Sequence, residues 1–132
     1  MERKIEIFLA ISTYVIGASH LFRSDDWAAA YGRLHDLGRP AAFINGGLHL
    51  AAGAAIIAAL QTLAWPDIVL TVFGCLLVVK GTVCFLAPDL ALKSMRHGAE
   101  HPRGFKFAGL LLIAVGAWAS YCAWQHSHSQ AL

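Results

Sequence analysis

The stretch from Ile68 to Leu86, IVLTVFGCLLVVKGTVCFL, holds a single Asp, Glu, Lys or Arg side chain, Lys80, and no proline. Hydrocarbon about 30 Å thick is crossed by roughly 20 helical residues rising 1.5 Å each, so this stretch is long enough to traverse a membrane. Backbone amides in lipid must pair within their own segment, which selects helix over strand. Three more stretches read the same way: Ile5 to Phe22, Ala41 to Leu63 and Phe107 to Trp124, the last two without any charge. The whole chain agrees. Of its 132 residues, 58% are hydrophobic and 14% charged, against about 45 to 50% and 25% in a soluble domain. The expected fold is therefore all-α, a four-transmembrane-helix bundle forming one membrane domain over residues 1–132. A secretory signal peptide is the rival reading of the first span, because Arg3 and Lys4 precede an apolar run that ends near Gly17, Ala18 and Ser19. The match of this segment to a later one favours a retained helix.

That match is an internal repeat. A shift of 64 residues pairs Ala10 with Gly74, Gly17 with Gly81, Phe22 with Leu86 and Asp25 with Asp89; a shift of 63 brings Gly46 onto Gly109 and Gly53 onto Gly116. Two parallel helix-hairpin repeats follow, about 1–63 and 64–132, each a membrane helix, a polar connection with a short amphipathic stretch, and a second membrane helix. Every span thus carries a small pair seven residues apart: Ala10/Gly17, Gly46/Gly53, Gly74/Gly81 and Gly109/Gly116. A heptad returns to nearly the same helix face, drifting about 20°. Small residues on one face let backbones approach closely in lipid, where van der Waals packing drives association. These eight residues are the expected packing seams.

The connections Arg23 to Pro40 and Ala87 to Lys106 carry Arg23, Arg33, Arg39, Lys93, Arg96, Arg103 and Lys106, whereas Arg3 and Lys4 lie on the opposite side. By the positive-inside rule both connections are cytoplasmic, both termini non-cytoplasmic, and the Gln61 to Asp67 turn faces away from the cytoplasm. Ser24, Asp25 and Asp26 offer an N-cap for a short helix from Trp27 to Leu37, stopped by Gly38 and Pro40; Pro88 and Asp89 open its counterpart, which Gly98 stops. With Trp27, Tyr31, Leu34 and Leu37 on one side and charges on the other, such helices suit the membrane interface or a partner's surface.

At membrane depth the polar side chains are few. Glu6, Ala10, Thr13, Gly17, His20 and Ser24 fall within one arc of the first helix, and Asn45 and His49 lie near Gly46 on the second. Lys80 and His49 stand at similar depth, alongside Tyr14. A charge near mid-helix costs about 2.5 to 3.5 kcal/mol on insertion scales, so Lys80 snorkels to the headgroups, stays neutral, or meets an anionic ligand or a partner subunit. Tyr14, His20, Asn45, His49 and Lys80 are the candidate ligand-binding residues. His20 and His49 invite a haem or metal reading, but they differ in depth by about 9 Å, which is poor for one haem. His126 and His128 form an HxH in a Ser-rich tail that reads as a frayed end, with weak metal binding as the lesser alternative. The cysteines Cys75, Cys84 and Cys122 show no CxxC or zinc-ligand spacing, and Cys75 and Cys84 stand about 13 Å apart along one helix, too far for dithiol exchange. A formal charge of +2 is too small for a nucleic-acid footprint. No nucleophile with a partnered base, no phosphate loop and no paired carboxylate is read in the sequence, so an enzyme is not indicated.

The run Gly17-Ala-Ser-His20-Leu-Phe22-Arg-Ser-Asp25-Asp-Trp27, with Asn45-Gly46-Gly-Leu-His49-Leu-Ala-Ala-Gly53, resembles the first helical pair of the DoxX-like small membrane proteins. The resemblance implies a four-helix integral protein of the bacterial inner membrane, with some relatives linked to thiol- or quinone-coupled redox systems. His49 stands where those proteins commonly carry Glu. The expected role is a non-catalytic accessory subunit of a larger membrane complex, respiratory or otherwise redox, or of a homo-oligomer. The alternatives are a cavity for an anion, lipid headgroup or quinone around the candidate residues, and haem or metal binding through the membrane histidines.

Overall fold

The computed structural model describes residues 2–129 and, among them, six helices and no strand: α1 (Glu2–Phe22), α2 (Ser24–Asp36), α3 (Arg39–Leu60), α4 (Ile68–Leu86), α5 (Pro88–Glu100) and α6 (Pro102–Ser129). Four of them, α1, α3, α4 and α6, are long and apolar enough to cross a membrane. Large apolar side chains such as Phe8, Val15, Leu48, Leu76, Val79 and Phe107 are more than half exposed. So much exposed apolar surface is rare on a water-soluble monomer and marks a face that lipid or a partner covers.

The long helices pack in two tight antiparallel pairs, α1 with α6 and α3 with α4. A Cβ on Gly17 would lie 2.8 Å from the Gly109 carbonyl, and one on Gly109 2.6 Å from the Gly17 carbonyl. The second pair repeats the device: a Gly53 Cβ would approach the Gly74 carbonyl to 2.6 Å, and a Gly81 Cβ the Gly46 carbonyl to 2.8 Å. Gly116 rests on Thr13 and Tyr14. Six of the seven glycines of the expected seams therefore sit where one backbone meets another, Gly116 meets side chains of α1 instead, and Ala10 is buried beside them. Each contact joins a helix from the first half of the chain to one from the second, whereas the two long helices within a half barely touch.

The pairs meet at the end where α1 begins and α6 finishes. There Leu9, Ala10, Ile56, Leu60, Leu70, Ala119 and Cys122 form the main core, drawing on all four long helices. At the other end α2 and α5 pack on each other, Gly32 beside Ala99 and Gly98 beside Tyr31. Ala91 and Met95 of α5 are buried, with Ala91 against Ala42 and Cys84.

Several boundaries differ from the sequence expectation. α2 starts at Ser24 with Arg23 at its cap and no side-chain cap bond. Asp25 and Asp26 instead occupy the first turn, where a carboxylate favours the helix dipole. Leu37 lies beyond α2 and is 64% exposed. α5 runs through Gly98, where an added Cβ would lie 3.4 Å from the Phe105 ring. α6 opens at Pro102, where the missing N–H costs nothing, and the Ser-rich tail continues it to Ser129.

Candidate functional site

The α6 extension places His126 over the start of α1. Its Nδ1 lies 2.9 Å from Glu6 Oε1 and 3.1 Å from Oε2, while its Nε2 lies 3.5 Å from Asp67 Oδ2 and 4.0 Å from Glu2 Oε2. Glu6 is fully buried and Asp67 is 7% exposed. Glu6, Asp67 and His126 each offer a ligand atom within 4.8 Å of the others. Buried polar groups normally find partners, yet Asp67 Oδ1 has none, and Glu6 Oε1 is close to the imidazole but outside hydrogen-bond geometry.

Local structure explains the convergence. Glu6 stands one turn before Ala10 on the seam face of α1, both of them buried. Asp67 immediately precedes α4, one heptad before Gly74 and hence on the same face. The turn holding Asp67 is pinned by Trp118 Nε1 donating to the Pro66 carbonyl at 3.0 Å and Thr71 Oγ1 donating to the Thr62 carbonyl at 2.8 Å. Trp65 packs edge-on against Trp118 with ring centroids 5.0 Å apart. A neutral imidazole has one N–H and can serve one carboxylate; an imidazolium serves two. Three carboxylates, those of Glu6, Asp67 and half-exposed Glu2, thus face one imidazole.

The five residues expected to bind a ligand occupy different surroundings. His20 is buried on α1, its Nδ1 2.8 Å from the Ile16 carbonyl and its ring stacked on Trp27 at 4.1 Å, with Phe105 at 5.6 Å. Trp27 Nε1 donates to Ser19 Oγ at 2.9 Å. Tyr31 meets Phe105 edge-on, and burial, then the nearby Cys84, holds its phenol above the ordinary range. Tyr14 lies on the outer face of α1 and α6, its hydroxyl accepting from Ser120 at 3.4 Å. It borders a shallow groove of about 380 Å³ with Arg3, Ile11, Ala123 and Trp124. Asn45, His49 and Lys80 lie on the other pair. His49 Nδ1 is 2.7 Å from the Asn45 carbonyl, Asn45 Nδ2 reaches Cys84 Sγ at 3.9 Å, and Lys80 is exposed. Asn45 and His49 thus adjoin on one turn of α3 and Lys80 stands on its partner helix α4, while Tyr14 and His20 lie on α1.

Sequence reasoning missed the Glu6–Asp67–His126 cluster. A signal was present in the topology: α1 and α4 begin, and α6 ends, at one end of the bundle. Compared with protein-family models, curated proteins and solved structures, the chain matches none.

Proposed function

We propose that this chain is a small non-catalytic integral membrane protein, an accessory subunit that joins a larger membrane assembly, built as two like-facing copies of one helical unit. The seven basic residues of the two connections against Arg3 and Lys4 favour α2 and α5 on the cytoplasmic side and both termini outside it. The alternation of a long, a 13-residue and a long helix in each half supports duplication. The Gly17–Trp27 and Asn45–Gly53 runs support kinship with the DoxX-like proteins.

The observation that carries the accessory reading is Lys80. It projects from the outer face of α4, inside a span of otherwise apolar side chains, where an ammonium costs free energy unless a partner or the headgroups receive it. The other polar side chains at depth turn to their own helix: His20 to Ile16, His49 to Asn45 and Thr13 to Leu9 at 2.7 Å. A carboxylate on a neighbouring subunit suits Lys80. Gentle detergent extraction followed by native mass measurement should recover the chain with companions, and Lys80→Leu should release them. A wild-type chain that emerges as a lone monomer rejects the reading. A Lys80→Leu chain that keeps its companions but loses bound anionic lipid or quinone transfers the role to a ligand pocket beside Asn45 and His49.

A further inference from the structure

We propose that Glu6, Asp67 and His126 form a binding site for a divalent transition-metal ion of the zinc class at the end of the bundle where α1 and α4 begin and α6 finishes. Three observations converge. Donor atoms each about 2.1 Å from a shared ion lie at most ~4.2 Å apart, so three atoms already within 4.8 Å need only sub-ångström closure. Two carboxylates and a neutral imidazole balance a 2+ ion in charge, and an oxygen–oxygen–nitrogen set suits zinc, manganese or ferrous iron. Asp67 Oδ1 is buried without a partner in a carboxylate whose other oxygen faces His126, a costly arrangement that an ion would relieve.

The surroundings fit the same ion. Half-exposed Glu2, 4.0 Å from His126 Nε2, stands at the mouth as an entry ligand. His126 keeps 26% side-chain exposure, so the site opens to water at that end. A Trp118-pinned turn and two helices hold the ligands, the rigid support that a metal site requires. This proposal does not depend on the accessory role.

The test uses the full chain, purified in detergent and stripped with a chelator, titrated with zinc chloride against a colorimetric zinc indicator. One zinc per chain is expected, with affinity falling about tenfold or more in Glu6→Gln and in Asp67→Asn while helix content and gel-filtration profile are kept. A competing locus exists at His97 and His101, stacked one turn apart on α5. Changing both to Ala should leave zinc binding unchanged. X-ray absorption of the zinc-loaded wild type gives a readout that needs no variant: oxygen and nitrogen neighbours at about 2.0 to 2.2 Å with one imidazole. Absent binding at 100-fold excess zinc, or two imidazoles in the shell, or binding lost with His97 and His101 and retained without Glu6, overturns the site.

Discussion

The α1/α6 and α3/α4 seams use one packing device and carry different polar loads. In both, glycines a heptad apart bring antiparallel backbones to within about the diameter of one methyl group. Along α1/α6 the polar side chains Glu6, Thr13 and His20 are all less than a tenth exposed. Along α3/α4, Asn45 and His49 are half-buried and Lys80 is exposed. The difference comes from what overhangs each seam. α6, at 28 residues, outruns α4, at 19, and its extra turns cover Glu6, while Trp27 of α2 and Phe105 of α6 cover His20. Helix length and the packing of α2, rather than the seam itself, decide which polar groups are sealed from lipid and water.

The sharpest way to break this comparison is to remove one histidine from each seam. His126→Leu leaves Glu6 and Asp67 buried against each other with no imidazole between them, and losing one member of a buried ionic group costs about 3 to 5 kcal/mol. His49→Leu removes a bond to its own helix's Asn45 carbonyl, a loss of at most ~1.5 kcal/mol. Unfolding of metal-free protein in mixed dodecyl sulfate micelles reads both. Equal losses would show that the cluster is not sealed as its geometry indicates.

The spans and the glycine register were legible in the sequence because length, hydropathy and a seven-residue period are local properties. Helix pairing was not. Every span carries the same small pair, so α1 could satisfy its register against more than one partner, and only the complete packing selects α6. The cluster escaped for a related reason. Glu6 shared the seam arc with Ala10 and Gly17, but Asp67 read as part of a turn and His126 as part of a fraying tail. Neither residue reveals its role until α6 is known to stay helical past Trp124 and the turn is known to be tied to Trp118. Of the five candidates at depth, Asn45 and His49 adjoin because they stand one turn apart on α3, and Lys80 shares their helix pair because α3 and α4 are neighbours. His20 is absorbed by aromatic contacts with α2 and α6 that hydropathy alone does not specify.

The second prediction tests the device the seams share. Gly17→Val and Gly53→Val place branched side chains where even a Cβ lies 2.8 Å from Gly109 oxygen or 2.6 Å from Gly74 oxygen. Neither contact can yield without moving backbone, so each should cost about 1 to 3 kcal/mol in the same micellar assay, and by similar amounts. Gly47, one residue from the seam, has nothing within 4 Å of a Cβ; Gly47→Ala should be neutral or gain up to about 1 kcal/mol from helix propensity. A large loss at Gly17 with none at Gly53 would mean that one seam alone holds the bundle.

The smallest effect separates how the seams are tied to the short helices. Arg39, at the head of α3, donates through Nε and Nη2 to the two Asp89 carboxylate oxygens of α5 at 3.2 and 3.1 Å. The α1/α6 seam instead meets α2 through the His20, Trp27, Tyr31 and Phe105 rings. The ion pair is paired bidentately but its side chains are 64% and 75% exposed, so water and salt screen it and Arg39→Gln should cost only about 0.2 to 1 kcal/mol. At 1 M salt the screening length falls to roughly 3 Å, and wild type and Arg39→Gln should unfold together. The ring contacts are not an ion pair, so the α1/α6 end should keep its stability across the same salt range; a gap between wild type and Arg39→Gln that persists at 1 M would mean that Arg39 acts through packing of its stem on α5 and not through its charge.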